Sequence, residues 1–539
     1  MARMFADLHC HPTLFGFNRM RNSAEEHDPA RNHAWHVPPS NPEAMAEGKR
    51  AATYSQIDVA KMSLAGVRIC YASITPIETG FFRGNPEKEQ NTSFVREALG
   101  LTTGATALRS AVALWRDGSM AALKEATAIL RNEGPLRVLV QHAVMRYSLS
   151  RIRFMVSEDY DYWEEFLKEY QYMVRSNGQE HTAQVEDGHG NTQQAQGRYH
   201  LIKDAAHFKS IIDDDNGDMA VILTIEGAHV LTIGPDQERV PDALIFERIE
   251  TLRTMEHPVL FVTLAHHFDN GICGHAHSMP DAGQLVMDQS RRMGEGMEMQ
   301  GDLGMRVVKS FLALDNDLND IEGARRILLD IKHMSPLTRR QYYRHVIEPY
   351  NERNPDRPLP VIMSHAAYSG MDSLDTFINN ADKETDQWRS GLFNAWGINA
   401  CDEDVRAIHK SGGLLGLIFE QRILGAPADA SLELLPDALM IHLAAVVDVI
   451  MLDDRLDDEA KRTIWDCVCL GTDFDGFIDP LSCYPTALSL PRFAQDLRAW
   501  LLRNAHTRQI ADIGVDELVE KICWRNGYEF ALRHLPSGD

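Results

Sequence analysis

The stretch Met4-Phe-Ala-Asp-Leu-His-Cys-His-Pro12 sets the reading of the whole chain. A short apolar run ends in His9-Cys-His11, and Pro12 and Thr13 follow where an extended segment would stop. Alternate side chains of a strand share a face, so His9 and His11 are expected to point the same way. Two neutral imidazoles side by side at a strand end are a common beginning of a divalent metal site. The pair alone decides nothing. Its weight comes from later apolar runs that end in the same kind of residue.

Seven further runs of strand length follow: Val67–Ile74, Met219–Ile225, Val259–Ala265, Ile327–Ile331, Leu359–Ser364, Gly413–Phe419 and Cys467–Leu470. Stretches with helical spacing separate them. Buried parallel strands read as near-continuous Val, Ile and Leu, and such strands alternating with helices predict an α/β fold, a (β/α)₈ TIM-type barrel. Six of the eight runs end in ligand-type residues, namely His9 and His11, Glu226, His266, His333, His365 and Asp473. Strand ends are where that fold builds its active site.

The gap between strands two and three is long. Leu108–Arg131 and Leu136–Glu169 carry helical spacing, and Ser176–Arg198 is polar and reads as a loop or lid. We therefore expect one catalytic domain in three stretches: 1–82 with strands one and two, 83–216 as a helical insertion, and 217–539 with strands three to eight and C-terminal helices. Pro280–Gly301, Asp375–Ala400 and Ala426–Leu435 read as further loop excursions, and Phe493–Leu535 as helices of the outer layer.

Composition narrows the function classes. With 44% apolar and 24% charged residues, the chain has the make-up of a soluble globular protein. Its formal charge of −24 disfavours nucleic acid or an anionic membrane as partner. No run of about 18 apolar residues is present to span a bilayer. The opening residues lack the apolar core of a secretory signal, and eight cysteines are scattered without a metal-type CxxC. The expectation is a cytoplasmic protein with reduced thiols. Gly-rich phosphate loops and a Gly-x-Ser-x-Gly elbow are absent, which disfavours nucleotide use and a serine hydrolase.

The strand-end residues suggest a chemistry. Four histidines and a carboxylate suit zinc or a similar borderline ion. Glu226 can bridge two ions, since a carboxylate ligates through both oxygens. Two such ions would share a hydroxide, the expected nucleophile. Asp473 then has a role in taking the proton from that water and passing it to the leaving group, and His266 in donating to the developing oxyanion. Asp475 reads as the residue that shapes the turn before Gly476. Asp7 is read as either an orienting partner of His9 or a core-edge carboxylate. His267, His275 and His277 read as solvated loop residues, Cys10 as packed against helices, and Cys467 and Cys469 as small core residues.

Ile225-Glu-Gly-Ala-His229, Thr263-Leu-Ala-His266, Asp330-Ile-Lys-His333, Val361-Ile-Met-Ser-His365 and Gly471-Thr-Asp-Phe-Asp-Gly476 resemble, in order, the signatures of the renal (membrane) dipeptidase family of the amidohydrolase superfamily. With the opening stretch, the resemblance covers Met4–Leu14 and the chain from Tyr199 to Arg533, where Asn526 and its surroundings resemble the family's last helix. It implies a barrel with two zinc ions, Glu226 between them, His9 and His11 on one, and His333 and His365 on the other. It also implies His266 at the scissile carbonyl and Asp473 as acid/base. A small amide or dipeptide substrate and a homodimer are implied as well.

Two departures stand out. The family has His-x-Asp where this chain has His9-Cys-His11, which changes the site's charge by one unit. The family's carboxylate-binding Arg corresponds to Ile398, and an aliphatic side chain does not replace a bidentate Arg–carboxylate pair. Arg389 can reach in from the preceding loop. Amide hydrolysis is thus the leading expectation, with dipeptides as the default substrate. The alternatives are N-acyl amino acid, lactone or ester hydrolysis, deamination, or a non-catalytic metal-binding barrel.

Overall fold

A computed structural model describes residues 4–37, 54–82, 147–187, 189–214, 216–232, 240–279, 289–297, 303–379, 393–425, 435–504 and 513–538. Its strands are β1 (Phe5–Cys10), β2 (Val67–Ile74), β3 (His181–Glu186), β4 (Thr192–Gly197), β5 (Tyr199–Leu201), β6 (Met219–Glu226), β7 (Val259–Thr263), β8 (Leu328–Asp330), β9 (Ile362–Ala366), β10 (Leu414–Leu417) and β11 (Val468–Leu470). The order β2-β1-β11-β10-β9-β8-β7-β6, closed by pairing of β2 with β6, makes an eight-stranded parallel barrel. All eight expected strands are in it. β5 adds a short parallel strand beside the first residues of β6.

The barrel is filled by small and branched side chains. Ala6, Leu8, Ile69, Ala220, Ile222, Leu260, Leu328, Ile362 and Leu414 form one buried cluster with Phe530 and Ala531 of the C-terminal helix Asn526–His534. That helix closes the end of the barrel opposite the strand termini. Gly527 sits so close to β1 that a Cβ there would lie 3.0 Å from the Ala6 Cβ, and Asn526 Nδ2 donates to the carbonyls of Trp465 and Val468 at 2.7 Å each. A second, larger cluster lies between strands and outer helices. Cys10 and Cys467 fall there and Cys469 in the barrel cluster, in line with Cys10 read as packed against helices and the other two as small core residues.

Local signals place the elements. Asp58 caps the helix Val59–Ala65 by accepting from Lys61 N, and Gly66, at φ 80°, ends it so that β2 begins at Val67. Residues just before that cap are held from far away: Asp475 accepts from the backbone N–H of Gln56 at 2.8 Å and of Ile57 at 3.1 Å. Asp475 therefore does more than shape its own turn.

The described part of the insertion holds helices Leu149–Met155, Tyr162–Val174 and Ala205–Asp213. Leu108–Arg131 lies outside the described residues. Ser176–Arg198, read from sequence as a loop or lid, is instead an antiparallel hairpin of β3 and β4. Its inward Val185 and Ala195 are buried, and Ser63 Oγ donates to Gln196 O at 3.0 Å, so it packs on the helix Val59–Ala65. The alternation Thr-Ala-Gln-Val-Glu carried this signal, but its polarity masked it. Among the described residues, no helix is long and apolar enough to cross a membrane.

Candidate active site

Glu226 is the last residue of β6, and five imidazoles converge on its carboxylate. Oε1 lies 3.3 Å from His9 Nε2, 3.2 Å from His333 Nε2 and 3.3 Å from His365 Nε2. Oε2 lies 3.1 Å from His11 Nε2 and 3.4 Å from His266 Nε2. Asp473 closes the ring, with Oδ1 3.5 Å from His11 Nε2 and 3.7 Å from His9 Nε2, and Oδ2 3.9 Å from His365 Nε2. All seven side chains are buried. The ladder of β1 on β2 is irregular between Asp7 and Cys10, so plain alternation breaks there, yet both opening histidines reach Glu226.

For two of the rings, the far side fixes the near side. His11 Nδ1 lies 2.8 Å from the carbonyl of Ser73, so it must donate, leaving Nε2 with a lone pair toward Glu226. Ser364 Oγ donates to Asp330 Oδ2 at 2.6 Å and therefore accepts from His365 Nδ1 at 2.9 Å, with the same result. Asp330 also accepts from Thr263 Oγ1 and from the N–H groups of Lys332 and Ser364, tying β7, β8 and β9 together beneath the site. Asp7 plays the matching part between β1 and β11, accepting from Thr472 N at 2.9 Å and Thr472 Oγ1 at 2.6 Å. Burial lifts its pKa to about 6.

Two of the seven converging residues adopt backbone conformations that side chains rarely occupy. His333 has φ 63° and Asp473 φ 60°, the kind of local strain that clusters at working sites. Asp473 is held in place by its N–H donating to His9 O at 2.9 Å. Gly476 leaves the room its carboxylate needs: a Cβ there would meet Asp473 Oδ1 at 2.0 Å. Gly227, at φ 94°, does the same for the next turn, since its Cβ would strike the His229 ring.

The electrostatics sort the donors. Burial pulls His333 down to about 3 and His365 well below the ordinary histidine range, so both are neutral at physiological pH. Burial opposes charge at Glu226, but His266 and His9 nearby and the contact with His11 hold it well below the ordinary carboxylate range. Burial raises Asp473. Burial also works against a charged His11, yet Asp473 and Glu226 lift it to about 10. The negative field of this pocket thus draws positive charge to the Nε2 atoms, as a proton or as a metal ion.

The donor set fits a divalent cation. His9 Nε2, His11 Nε2 and Asp473 Oδ1 are buried polar atoms without a hydrogen-bond partner; the two imidazoles face Glu226, and Asp473 Oδ1 faces the two imidazoles. Ligand atoms of His9, Glu226, His365 and Asp473 lie within 4.8 Å of one another, the spacing of a metal-holding cluster. Neutral imidazoles with carboxylates are the ligands of zinc-like ions.

Sequence reasoning missed the layer behind His266. Glu78, just past β2, lies 2.5 Å from His266 Nδ1 and accepts from the N–H groups of His267 and Phe268 at 3.2 Å each. Glu78, His229 and His266 form a second group of ligand-type atoms within 4.8 Å, as do His266, His267 and His333. Burial opposes charge on His266, but Glu226 and Glu78 lift it to about 10. His267, expected to be a solvated loop residue, lines the pocket and pairs its Nδ1 with Ser278 Oγ at 2.8 Å. His275 and His277 are also buried rather than solvated. The doubled His266-His267 was the available signal. Nothing in the residues around Glu78 marked it.

The ring opens into a cavity of about 40 Å³ whose wall includes Lys332, Ile398, Glu420 and Arg422. Ile398 is therefore at the site, as an apolar wall. Arg389 lies outside the described residues. Lys332 is fully buried, and burial pulls it down to about 8. The insertion stands behind the site. Tyr162 packs edge-on against His229 with centroids 4.8 Å apart, and no pocket-lining residue among those described comes from 147–201.

No family model matches the sequence. No curated protein matches it either. Several solved structures are similar. Dipeptidase AC, a metallopeptidase of family M19, shares 15% identity over 98% of each chain with a TM-score of 0.47. A metallopeptidase from Rhodobacter sphaeroides, liganded with a phosphinate mimic of the dipeptide L-Ala-D-Ala, shares 15% identity over 98% of this chain and 99% of the other, also at 0.47. The probable dipeptidase PvdM from Pseudomonas aeruginosa shares 12% identity over 94% of this chain and 96% of its own, at 0.36.

Proposed function

We propose that this chain is a metal-dependent hydrolase that cleaves an amide or peptide bond in a small substrate. One observation carries the reading. Five imidazoles meet on the Glu226 carboxylate, and buried ligand-type atoms without partners stand beside an equally unpartnered oxygen of Asp473. A purely structural cluster would satisfy those atoms within the protein.

His9, His11, Glu226, His333 and His365 would hold the ions, two zinc ions per chain. Bound there, divalent cations supply Lewis acidity toward a carbonyl oxygen and make water acidic enough to attack near neutral pH. The protein's own groups do the rest. Asp473 takes the proton of the attacking water at Oδ1 and returns it to the leaving nitrogen as the C–N bond breaks, so one carboxyl serves both half-steps. Burial, which raises its pKa, favours the protonated form needed for the second transfer. His266, oriented by Glu78, donates toward the oxygen that gains charge at the tetrahedral centre. An acid/base residue is superfluous in a barrel that only holds metal, which speaks against the non-catalytic alternative.

The test has two parts. Metal analysis of the purified protein is expected to find close to two zinc-like ions per chain, and finding none would remove the site. A panel of L,L-, L,D- and N-acylated dipeptides, assayed with zinc, is expected to include a hydrolysed member. If only lactones, esters or amino-purine-type amidines turn over, the metal site stands and amide hydrolysis falls.

A further inference from the structure

Among the charged groups in the wall of the site that take no part in the proposed hydrolysis, Lys332 stands apart from the paired Glu420 and Arg422. It stands between Asp330, the hub beneath the strands, and His333. Its side chain is buried, and it lines the same cavity as His333, His365 and Asp473. Its ammonium has no hydrogen-bond partner among the described residues.

The carboxylates whose charge reaches it are Asp473, Asp330, Glu226 and Glu420. None of them lies within ion-pair distance of its ammonium, and Asp330 and Glu420 are taken up by other donors. Asp330 accepts from Ser364, Thr263 and the Lys332 backbone, and Glu420 accepts from Arg422 Nε at 2.6 Å and Ile423 N at 2.7 Å. Glu226 and Asp473 belong to the imidazole ring of the site. The other cation of the wall, Arg422, is neutralised by Glu420. Burying an ammonium without a hydrogen-bonded partner costs several kcal/mol, and an aliphatic residue of similar length would avoid that cost. A cation kept in such a place finds its partner on the molecule that enters. The same wall has an apolar part formed by Ile398, Ile418 and Ile423.

We propose that Lys332 is a specificity-determining residue: its ammonium receives a carboxylate-type anionic group of the substrate, while the substrate's apolar part lies against Ile398, Ile418 and Ile423. The proposal rests on the reading of this cavity as a hydrolytic site, whose substrate it narrows to molecules carrying a free acid near the cleaved bond.

Binding of two probes tests it, N-acetyl-L-alanine and N-acetyl-L-alaninamide, which differ in the anionic group alone. Calorimetry on the zinc-loaded full chain carrying Asp473→Asn, which does not consume the probes, should find the acid bound about tenfold to hundredfold more tightly than the amide, the worth of one hydrogen bond to a charged group. Adding Lys332→Met should bring that ratio close to one with bound zinc unchanged. Lys332→Gln, which keeps a polar head at similar length, guards against a folding defect and should lose the ratio as well. A ratio near one with Lys332 in place, or an unchanged ratio in either variant, overturns the proposal. Hydrolysis is scored separately on the unsubstituted chain. A Lys332-dependent ratio without hydrolysis of any probe or peptide keeps the anion site and removes the hydrolase, and hydrolysis without the ratio does the reverse.

Discussion

Glu226 and Glu165 are both buried carboxylates surrounded by bases, and the comparison separates a working site from a structural one. Glu165, on the insertion helix Tyr162–Val174, accepts from Arg151 Nη2 at 2.6 Å and Arg21 Nη2 at 2.7 Å. Arg151 spends its remaining donors on Asn18 Oδ1 and Asn22 Oδ1. No polar atom of Arg21, Arg151 or Glu165 is left buried and unpartnered. Around Glu226, by contrast, His9, His11 and Asp473 keep such atoms. A polar network that closes on itself fixes structure, here the docking of the insertion onto the segment after β1. One that leaves inward-facing donors and acceptors open is shaped for something that binds.

The largest expected effect falls on the open cluster. Asp473→Asn keeps the shape of the side chain but cannot take a proton, and should lower kcat by about 10³-fold, within the usual range for a lost general acid/base. Bound metal, measured on the same preparation, should stay at the level of the unsubstituted protein. Full turnover in this variant would leave Asp473 as a ligand or spectator and break the contrast at its functional end.

The closed cluster should respond in stability instead. Glu165→Gln strands two buried guanidiniums and is expected to cost about 3 kcal/mol in urea unfolding, with kcat little changed. The acid limb of stability sharpens the point. Burial works against the charge of Glu165, but Arg151 and Arg21 lower its pKa from 4.5 to about 2. A carboxylate depressed on folding contributes stability that is fully present above its unfolded value and lost as pH falls through its folded one. The unsubstituted protein should therefore lose on the order of 3 kcal/mol between pH 4.5 and about 2 on this account, and the variant should lack that increment. Identical acid profiles would show that the triad does not carry the docking.

The sequence made the open cluster far more legible than its support. Eight buried strands announced themselves as apolar runs, and the ends of six named Glu226, Asp473 and every imidazole of the ring. Position along a strand converts directly into position in space, so those residues could be read. Glu78 could not. It follows β2 in a stretch without ligand spacing, and it meets His266 only because β2 and β7 flank β6 in the barrel. Lys332 was hidden for another reason: inside Asp330-Ile-Lys-His333 it looked like a spacer, and only its burial without a partner sets it apart. The hairpin of β3 and β4 was lost because its polar alternation resembles a loop. Arg21 and Arg151 stand far apart in sequence, and no periodicity joins them to Glu165.

The smallest expected effect lies between the two clusters. Glu78 accepts a backbone N–H at each oxygen, from His267 at Oε2 and from Phe268 at Oε1, and Oε2 also lies 2.5 Å from His266 Nδ1. If the comparison is right, it positions His266 without touching substrate. Glu78→Gln removes the charge that helps to lift His266 while leaving an oxygen for the backbone donors. Because the ring loses the charge of its orienting carboxylate, kcat should fall by about tenfold, the low end for partners that act through another residue. KM should hold, and any loss of Tm should be small beside the fall in kcat, because one of the two backbone donors keeps an oxygen acceptor. A fall in Tm with kcat unchanged would place Glu78 with Glu165, as a residue whose partners are all internal.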